Sequence, residues 1–476
     1  MFRNADDLLR AISDHSIRMV DLQFSSLFGT WHHLTLPASR VDEVFFTRGE
    51  AFDGASVPGY AKLEAGDMSI LPDVCTAFID PFYEIPTLTV LCSVVEADTL
   101  VPCSRDPRGI ALRAEKYLKD SGLATNSVWG PELEFYVFDS VQHGAAPGVC
   151  QYRIESEEAP WNAGSKARNG LGYQIQHGRG YHACPPMDRL ADMRNECVDV
   201  LEQIGVAIRY HHHEVGGPGQ CEIEPAMGPI DKMGDAVMLS KYVIRRVAEK
   251  WGLTVTFMPK PLYGEAGSGM HFHQHLFNNG EPVFYDKTGY AGLSQLARAY
   301  IAGLLAHGAS LLGLTNPSTN SYKRLVPGFE APVNLFYSLG NRSAAIRVPK
   351  YAVEPHEKRM EFRPPDATCN PYLAMAAMLM AGIDGMKKLM DPATMGFGPI
   401  DENIFHWPEE KLATIQPLPA SLPAALAALE ADNDYLKAGN VFTQDLLDVW
   451  IDRKKKDVQE LEVRPHPHEF AMYYTL

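Results

Sequence analysis

Trp129-Gly-Pro-Glu-Leu-Glu-Phe-Tyr-Val-Phe138 alternates acidic and apolar side chains, so an extended strand places Glu132 and Glu134 on one face and Leu133, Phe135 and Val137 on the other. A single such pair reads as a solvent-facing surface, because alternating polar positions normally meet water. The same pattern recurs, however. Arg209-Tyr-His-His-His-Glu214 runs through Val-Gly-Gly-Pro-Gly-Gln to Cys221-Glu222, and the glycine-proline stretch predicts a hairpin that brings Glu214 to Glu222. Gly267-Ser-Gly-Met-His-Phe-His-Gln-His275 places His271, His273 and His275 on one face. Arg359-Met-Glu-Phe-Arg363 does the same for Arg359, Glu361 and Arg363. Four strands with charged faces and apolar backs predict one sheet curling around a polar interior, whose carboxylates then require cations.

Carboxylates with an occasional imidazole suit a hard divalent ion of the magnesium or manganese type. The run His211-His212-His213 suggests zinc, but adjacent histidines on a strand point to opposite faces, so at most His211 and His213 are expected to act together. Magnesium-type sites with open positions accept phosphates. Arginines for that task occur in Asn341-Arg-Ser-Ala-Ala-Ile-Arg347 and in Tyr322-Lys-Arg-Leu-Val-Pro-Gly-Phe-Glu330. No phosphate-binding G-x-x-x-x-G-K-[ST] loop is present.

Working outward, Asn4–Ser13 has helical spacing, Val20–Phe28 and Thr87–Val95 read as strands, and Ile110–Leu118 as a helix after a boundary near Pro102. Beyond that boundary, strands alternate with long helical stretches such as Met187–Ile204 and Met233–Trp251, which predicts α+β with a largely antiparallel sheet. The chain has 476 residues, 46% of them hydrophobic, enough for a sizeable core in two domains. Its net charge of −16 argues against a nucleic-acid surface. Eight scattered cysteines without a C-x-x-C pair read as reduced thiols of a cytoplasmic protein. The apolar runs Ile301–Leu314 and Tyr372–Ile383 are too short to cross a bilayer, and the acidic N-terminus lacks an export signal.

Taken in order, FDGAS (Phe52–Ser56), WGPELEF (Trp129–Phe135), HHHEVGGPGQCE (His211–Glu222), GSGMHFH (Gly267–His273), RLVPGFEAPVN (Arg324–Asn334), NRSAAIR (Asn341–Arg347) and RMEFRPPD (Arg359–Asp366) closely resemble the bacterial type I glutamine synthetase family. The stretch Tyr152–Tyr181 and the ending RPHPHEFAMYYTL resemble its larger, insertion-bearing subtype. The resemblance implies a small β-grasp domain over residues 1–103 and a catalytic domain over 104–476, built on a curved antiparallel half-barrel flanked by helices. It implies a dodecamer of two stacked hexameric rings. It places one metal on Glu134, Glu214 and Glu222 and a second on Glu132, His271 and Glu361, with Mg2+ or Mn2+ as the ion. It assigns Arg342 and Arg347 to the transferring phosphate, Arg324 and Arg363 to glutamate, and Glu330 to a closing loop. Asp53 and Ser56 would come from the neighbouring subunit, Gly267 would contact substrate, and His273, Arg347 and Arg359 would contact ATP.

The activity so implied joins ammonia to the γ-carboxylate of glutamate at the expense of ATP. The rival readings are a γ-glutamyl ligase for a polyamine or another amine, and a non-catalytic assembly protein of the same fold. The chain also departs from the family's pattern. Where the family usually has Asn-Gly before Ser-Gly-Met-His, this chain has Glu265-Ala266-Gly267, so Ala266 lacks a substrate-facing amide, and either Glu265 reaches the substrate's ammonium group or a water fills the gap and bridges to the backbone. His356 and His275 are further departures.

Overall fold

The computed structural model describes residues 2–61, 66–163, 171–328, 331–404 and 407–476. The helix Ala5–Asp14 opens the chain, its first turn capped by the Asn4 side chain, which accepts the Asp7 N–H at 2.9 Å. A six-stranded sheet follows. Its central strand Met19–Ser25 pairs antiparallel with Trp31–Pro37 and parallel with Thr87–Glu96, and Asp67–Pro72 and Glu50–Asp53 extend it on the far side. Leu22, Ile70, Leu88 and Val94 are among the side chains of a core separate from the one beneath the second sheet.

The second sheet has ten strands. Its axis is the long strand Asn126–Phe138, flanked on one side by Gln220–Pro225 and then Ile208–His213. On the other side lie Met270–Asn278, Met360–Phe362, Ala344–Val348 and Asn334–Leu339 in turn. Every pairing is antiparallel except the outermost, between Asn334–Leu339 and Ala344–Val348, which is parallel. This matches the α+β expectation, with strands one to several residues longer or shorter than alternation alone marked them.

The apolar back of the sheet carries Leu133, Phe135, Ile223, Met270, Phe272, Met360 and Phe362, all fully buried. They pack into one core with the helices Pro107–Asp120, Ile230–Lys250, Gln295–Ala306 and Pro371–Lys387. The apolar run Tyr372–Ile383 lies inside the last of these, and Ile301–Leu314 spans two helices, Gln295–Ala306 and Gly308–Thr315, that meet at His307. No helix among the described residues is long and apolar enough to cross a membrane. With the back of the sheet committed to this core, its acidic face is free to line a cavity.

Candidate active site

Strand register builds the site. Across the sheet His212 faces Glu222, and Glu222 faces Glu134. Two residues along, Glu132 faces His271, while His273 faces Glu361, and Glu361 faces Arg347. Neighbouring strands thus deliver acids, imidazoles and a guanidinium side by side because each strand alternates with the same period of two. The resulting cavity has a volume of about 450 Å³, and Glu132, Glu134, Glu214, Glu222, His271, Glu361, Arg324, Arg342, Arg347, Arg363 and Gly267 all line it.

Two of its clusters have the donors for a cation. Glu132, His271 and Glu361 present ligand atoms within 4.8 Å of one another, as do His212, Glu214 and Glu222. A third grouping joins Glu132 to His273 and Glu224. The first set reproduces the expected trio. In the second, His212 stands beside Glu214 and Glu222. Glu134 instead accepts the Gly269 N–H at 2.8 Å and lies 4.0 Å from His271 Nε2. Of the run His211-His212-His213, whose outer two are the only pair able to act together as a zinc site, it is the middle residue that lines the cavity. His211 bonds Asn195 and Arg194, and His213 bonds buried Glu158, both away from the cavity, while His212 points in.

The charges are unevenly matched. Burial raises Glu132, yet hydrogen bonds from His271 at 2.8 Å and His273 at 2.9 Å outweigh it and hold its carboxyl well below the usual range. Burial and Glu132 raise Glu361, but the guanidinium of Arg363 and then the imidazoles of His273 and His271 outweigh them and bring it down. Arg347 donates to its other oxygen at 2.6 Å. Glu222 goes the opposite way, because burial and then Glu132, Glu134, Glu214 and Glu224 all push its carboxyl well above the usual range. Its nearest cationic partner, His212, is itself held low by burial and stands 3.5 Å away. Oxygen donors crowded past mutual tolerance, with a few imidazole nitrogens, fit a hard divalent cation.

Arg324 runs beneath the turn that ends in Gly267 and Gly269, anchored by the carbonyls of Pro364, Pro365 and Arg363 at 2.7, 3.3 and 3.2 Å. A Cβ at Gly267 would sit 2.6 Å from Arg324 Cγ, and one at Gly269 2.5 Å from its Nη2, so both positions require glycine. Arg342 stacks over Tyr181 at 5.8 Å, and Tyr181 contacts His182 and His212, an aromatic wall that the sequence reading missed.

Asp53, Ser56, His273 and Arg359 do not line this cavity. Asp53 accepts from Ser56 Oγ at 2.6 Å and from Ala55 N at 2.9 Å on the surface of the N-terminal sheet, away from the cavity of its own chain. His273 is buried behind Glu132, and Arg359 stacks over Tyr351, a cavity-lining ring, at 5.2 Å. Glu330 falls outside the described residues. The neighbouring departure, Glu265, is corrected: its carboxylate is buried and takes the His177 imidazole, while Ala266 gives its carbonyl to Tyr136 at 2.7 Å.

Residues 104–473 match the family model for the glutamine synthetase catalytic domain, and residues 16–97 that for the glutamine synthetase β-grasp domain. A glutamine synthetase of Frankia alni is 47% identical over the full length of both chains, and that of Streptomyces coelicolor is 47% identical over the same extent. A glutamine synthetase structure from Plasmodium falciparum superposes with a TM-score of 0.90 over 99% of each chain, at 26% identity. A β-grasp sheet, a ten-stranded curved sheet with its acids turned inward, and full-length similarity at this level establish that the chain belongs to the glutamine synthetase family.

Proposed function

We propose that this chain is a glutamate–ammonia ligase, converting ATP, L-glutamate and ammonia to L-glutamine, ADP and phosphate. The observation that carries the reading is the convergence of Glu132, His271 and Glu361 on one point of a cavity that four arginines also line. The chemistry requires such a site. Ammonia does not displace oxide from a carboxylate, so the γ-carboxylate is first phosphorylated by ATP to γ-glutamyl phosphate, and ammonia then expels phosphate.

Divalent ions, Mg2+ or Mn2+, on Glu134, Glu214 and Glu222 with His212 beside them, and on Glu132, His271 and Glu361, would supply electrostatic stabilisation of the transferring phosphoryl group. Arg342 and Arg347 face that group, and Arg324 and Arg363 hold glutamate. His273 and Arg359 take the nucleotide side with Arg347. Gly267 keeps the wall thin enough for Arg324 to reach substrate. Ammonium becomes nucleophilic only after losing a proton, a task for the carboxylates of Asp53 and Glu330. Because Asp53 and Ser56 sit apart from the cavity of their own chain, the reading includes a neighbouring subunit that supplies them, in a dodecamer of two hexameric rings. Separate cores support division into residues 1–103 and 104–476, and cytoplasmic placement follows from the same reading.

Phosphate release by the purified protein with ATP, Mg2+ and glutamate tests the proposal, ammonium being compared with methylamine and putrescine. Ammonium-dependent release with formation of glutamine is expected. Release driven only by a larger amine would replace ammonia as the nucleophile, and no release with any amine would end the ligase reading.

A further inference from the structure

The turn Gly264–Gly267 and the segment around His177 meet at one end of the cavity, where neither takes part in the metal clusters. His177, Gly178, Gly264, Ala266 and Gly267 line the wall there, and the Glu265 side chain lies behind it, 1% exposed. Glu265 Oε1 accepts from His177 Nδ1. Its Oε2 is buried without a hydrogen-bond partner among the described residues. Lys260 caps the Glu265 backbone carbonyl, and burial brings its ammonium down to about 8. A carboxylate placed behind an imidazole in this way fixes which ring nitrogen faces outward, the arrangement by which buried acids orient functional histidines.

We infer that His177, oriented by Glu265, is a further substrate-recognition residue that binds the α-carboxylate of the amino-acid substrate. The inference rests on the ligase reading above, since it presumes glutamate in this cavity. Three features support it. The Nδ1 edge donates to Glu265, so Nε2 is the atom offered to a ligand; it donates to a carboxylate as the imidazolium, whose charge the buried Glu265 balances, and the His177 side chain is 61% exposed, open to the cavity. Arg324 lines the same cavity, its stem against Gly267 and its Nη2 against Gly269, so an anion bound there has a guanidinium as well as the imidazole available to it. Finally, Ala266 leaves the wall without a side-chain donor at the position where the family usually carries an amide, and His177 supplies a donor from the adjacent segment. Glu265 acts through His177 and is a positioning residue.

The test uses the full-length enzyme. His177→Ala should raise the glutamate KM about tenfold or more, the loss expected for a hydrogen bond to a charged group, with a smaller effect on kcat and none on the ATP KM. Glu265→Gln should raise the same constant by a smaller factor, and His177→Gln, which restores a donor, should recover part of the loss. As an independent readout, glutamate should slow carbethoxylation of His177 by diethyl pyrocarbonate, mapped by peptide mass, whereas ATP alone should not. A glutamate KM within twofold of wild type in His177→Ala, with modification of His177 indifferent to glutamate, would overturn the inference and leave the ligase reading intact. Glutamate turnover absent from the wild-type enzyme would instead strike the ligase reading, and protection of His177 would then decide the inference by itself.

Discussion

Glu222 lies in an environment that opposes its charge. Its ligand atom lies within 4.8 Å of those of Glu214 and His212, it faces Glu134 in register, and burial adds to the cost. One like charge at 4.8 Å costs about 3.5 kcal/mol at an effective dielectric of about 20. Protonation limits the penalty. Unfolded Glu222 ionises near 4.5 and folded Glu222 only well above that, so chelated enzyme loses stability as pH rises from the unfolded value through the folded one. The slope is at most about 1.4 kcal/mol per pH unit, which bounds the loss at about 4 kcal/mol near pH 7.5. Glu222→Gln keeps the shape and removes the charge. In EDTA the variant is therefore expected to melt higher than wild type, by a margin that widens from about pH 5.5 to about pH 8. Saturating Mg2+ should reverse the order. Wild type gains about 2.7 kcal/mol at a hundredfold excess over the dissociation constant, and the variant gains less and turns over slowly. Thermal midpoints across that pH range, with and without Mg2+, make the measurement. A chelated Glu222→Gln protein that melts below wild type throughout, or that keeps the full Mg2+ increment and near-normal turnover, would refute the reasoning.

Mixing inactive Asp53→Ala subunits with inactive Glu330→Ala subunits should restore part of the activity in demonstrably mixed rings, and no recovery would place Asp53 in the site of its own chain. His307 bridges Asp384 at 2.9 Å and Asp432 at 2.7 Å; burial lowers its pKa, but the two carboxylates outweigh that and raise it. Its contribution to stability is complete below about 6.5 and disappears as pH rises through the folded value, so His307→Gln should lose stability relative to wild type at pH 6 and little at pH 9 in thermal melts. The segment Asp401–Glu410 has no tyrosine, and Phe405, outside the described residues, has no hydroxyl, so intact mass should show no nucleotidyl adduct there after incubation with an adenylylating extract.

Alternation made much of the site legible. Because a strand's side chains repeat every two residues, Glu132 with Glu134, and His271 with His273, announced a shared face before any pairing was known. The same rule, carried one strand further, would have found His212, which shares its face with Glu214, and Glu224, which shares its face with Glu222. The run of three histidines hid this, since nothing local says which parity points inward until the neighbouring strand fixes it. Tyr181 and His177 were beyond such reasoning. They lie outside regular strands, and their positions depend on how a long connection returns to the sheet. Glu265 misled for a related reason. A carboxylate in a substrate-facing turn invites a direct role, but its backbone turns the side chain inward, where an imidazole was needed to satisfy it.

The arginines explain how so acidic a cavity receives anionic substrates. Arg347 and Arg363 each give one N–H to Glu361, and the Nε of each is buried without a partner among the described residues. Both side chains line the cavity, so their remaining N–H donors favour a ligand with oxygens to accept them. Phosphate and carboxylate have that geometry, and a planar guanidinium presents its remaining donors in a fixed fork. Glu361 thus does two jobs, as a candidate metal ligand and as the counter-charge that holds both guanidiniums in place between turnovers. At the other end, His212 stands beside Glu214 and Glu222, 3.8 and 3.5 Å from their carboxylates. One half of the cavity is therefore organised by arginine, and in the other burial and neighbouring carboxylates push the Glu222 carboxyl well above the usual range. A divalent cation held by Glu214 and Glu222 with His212 would lower the cost of ionising Glu222 and would supply positive charge for a phosphate bound by the arginines.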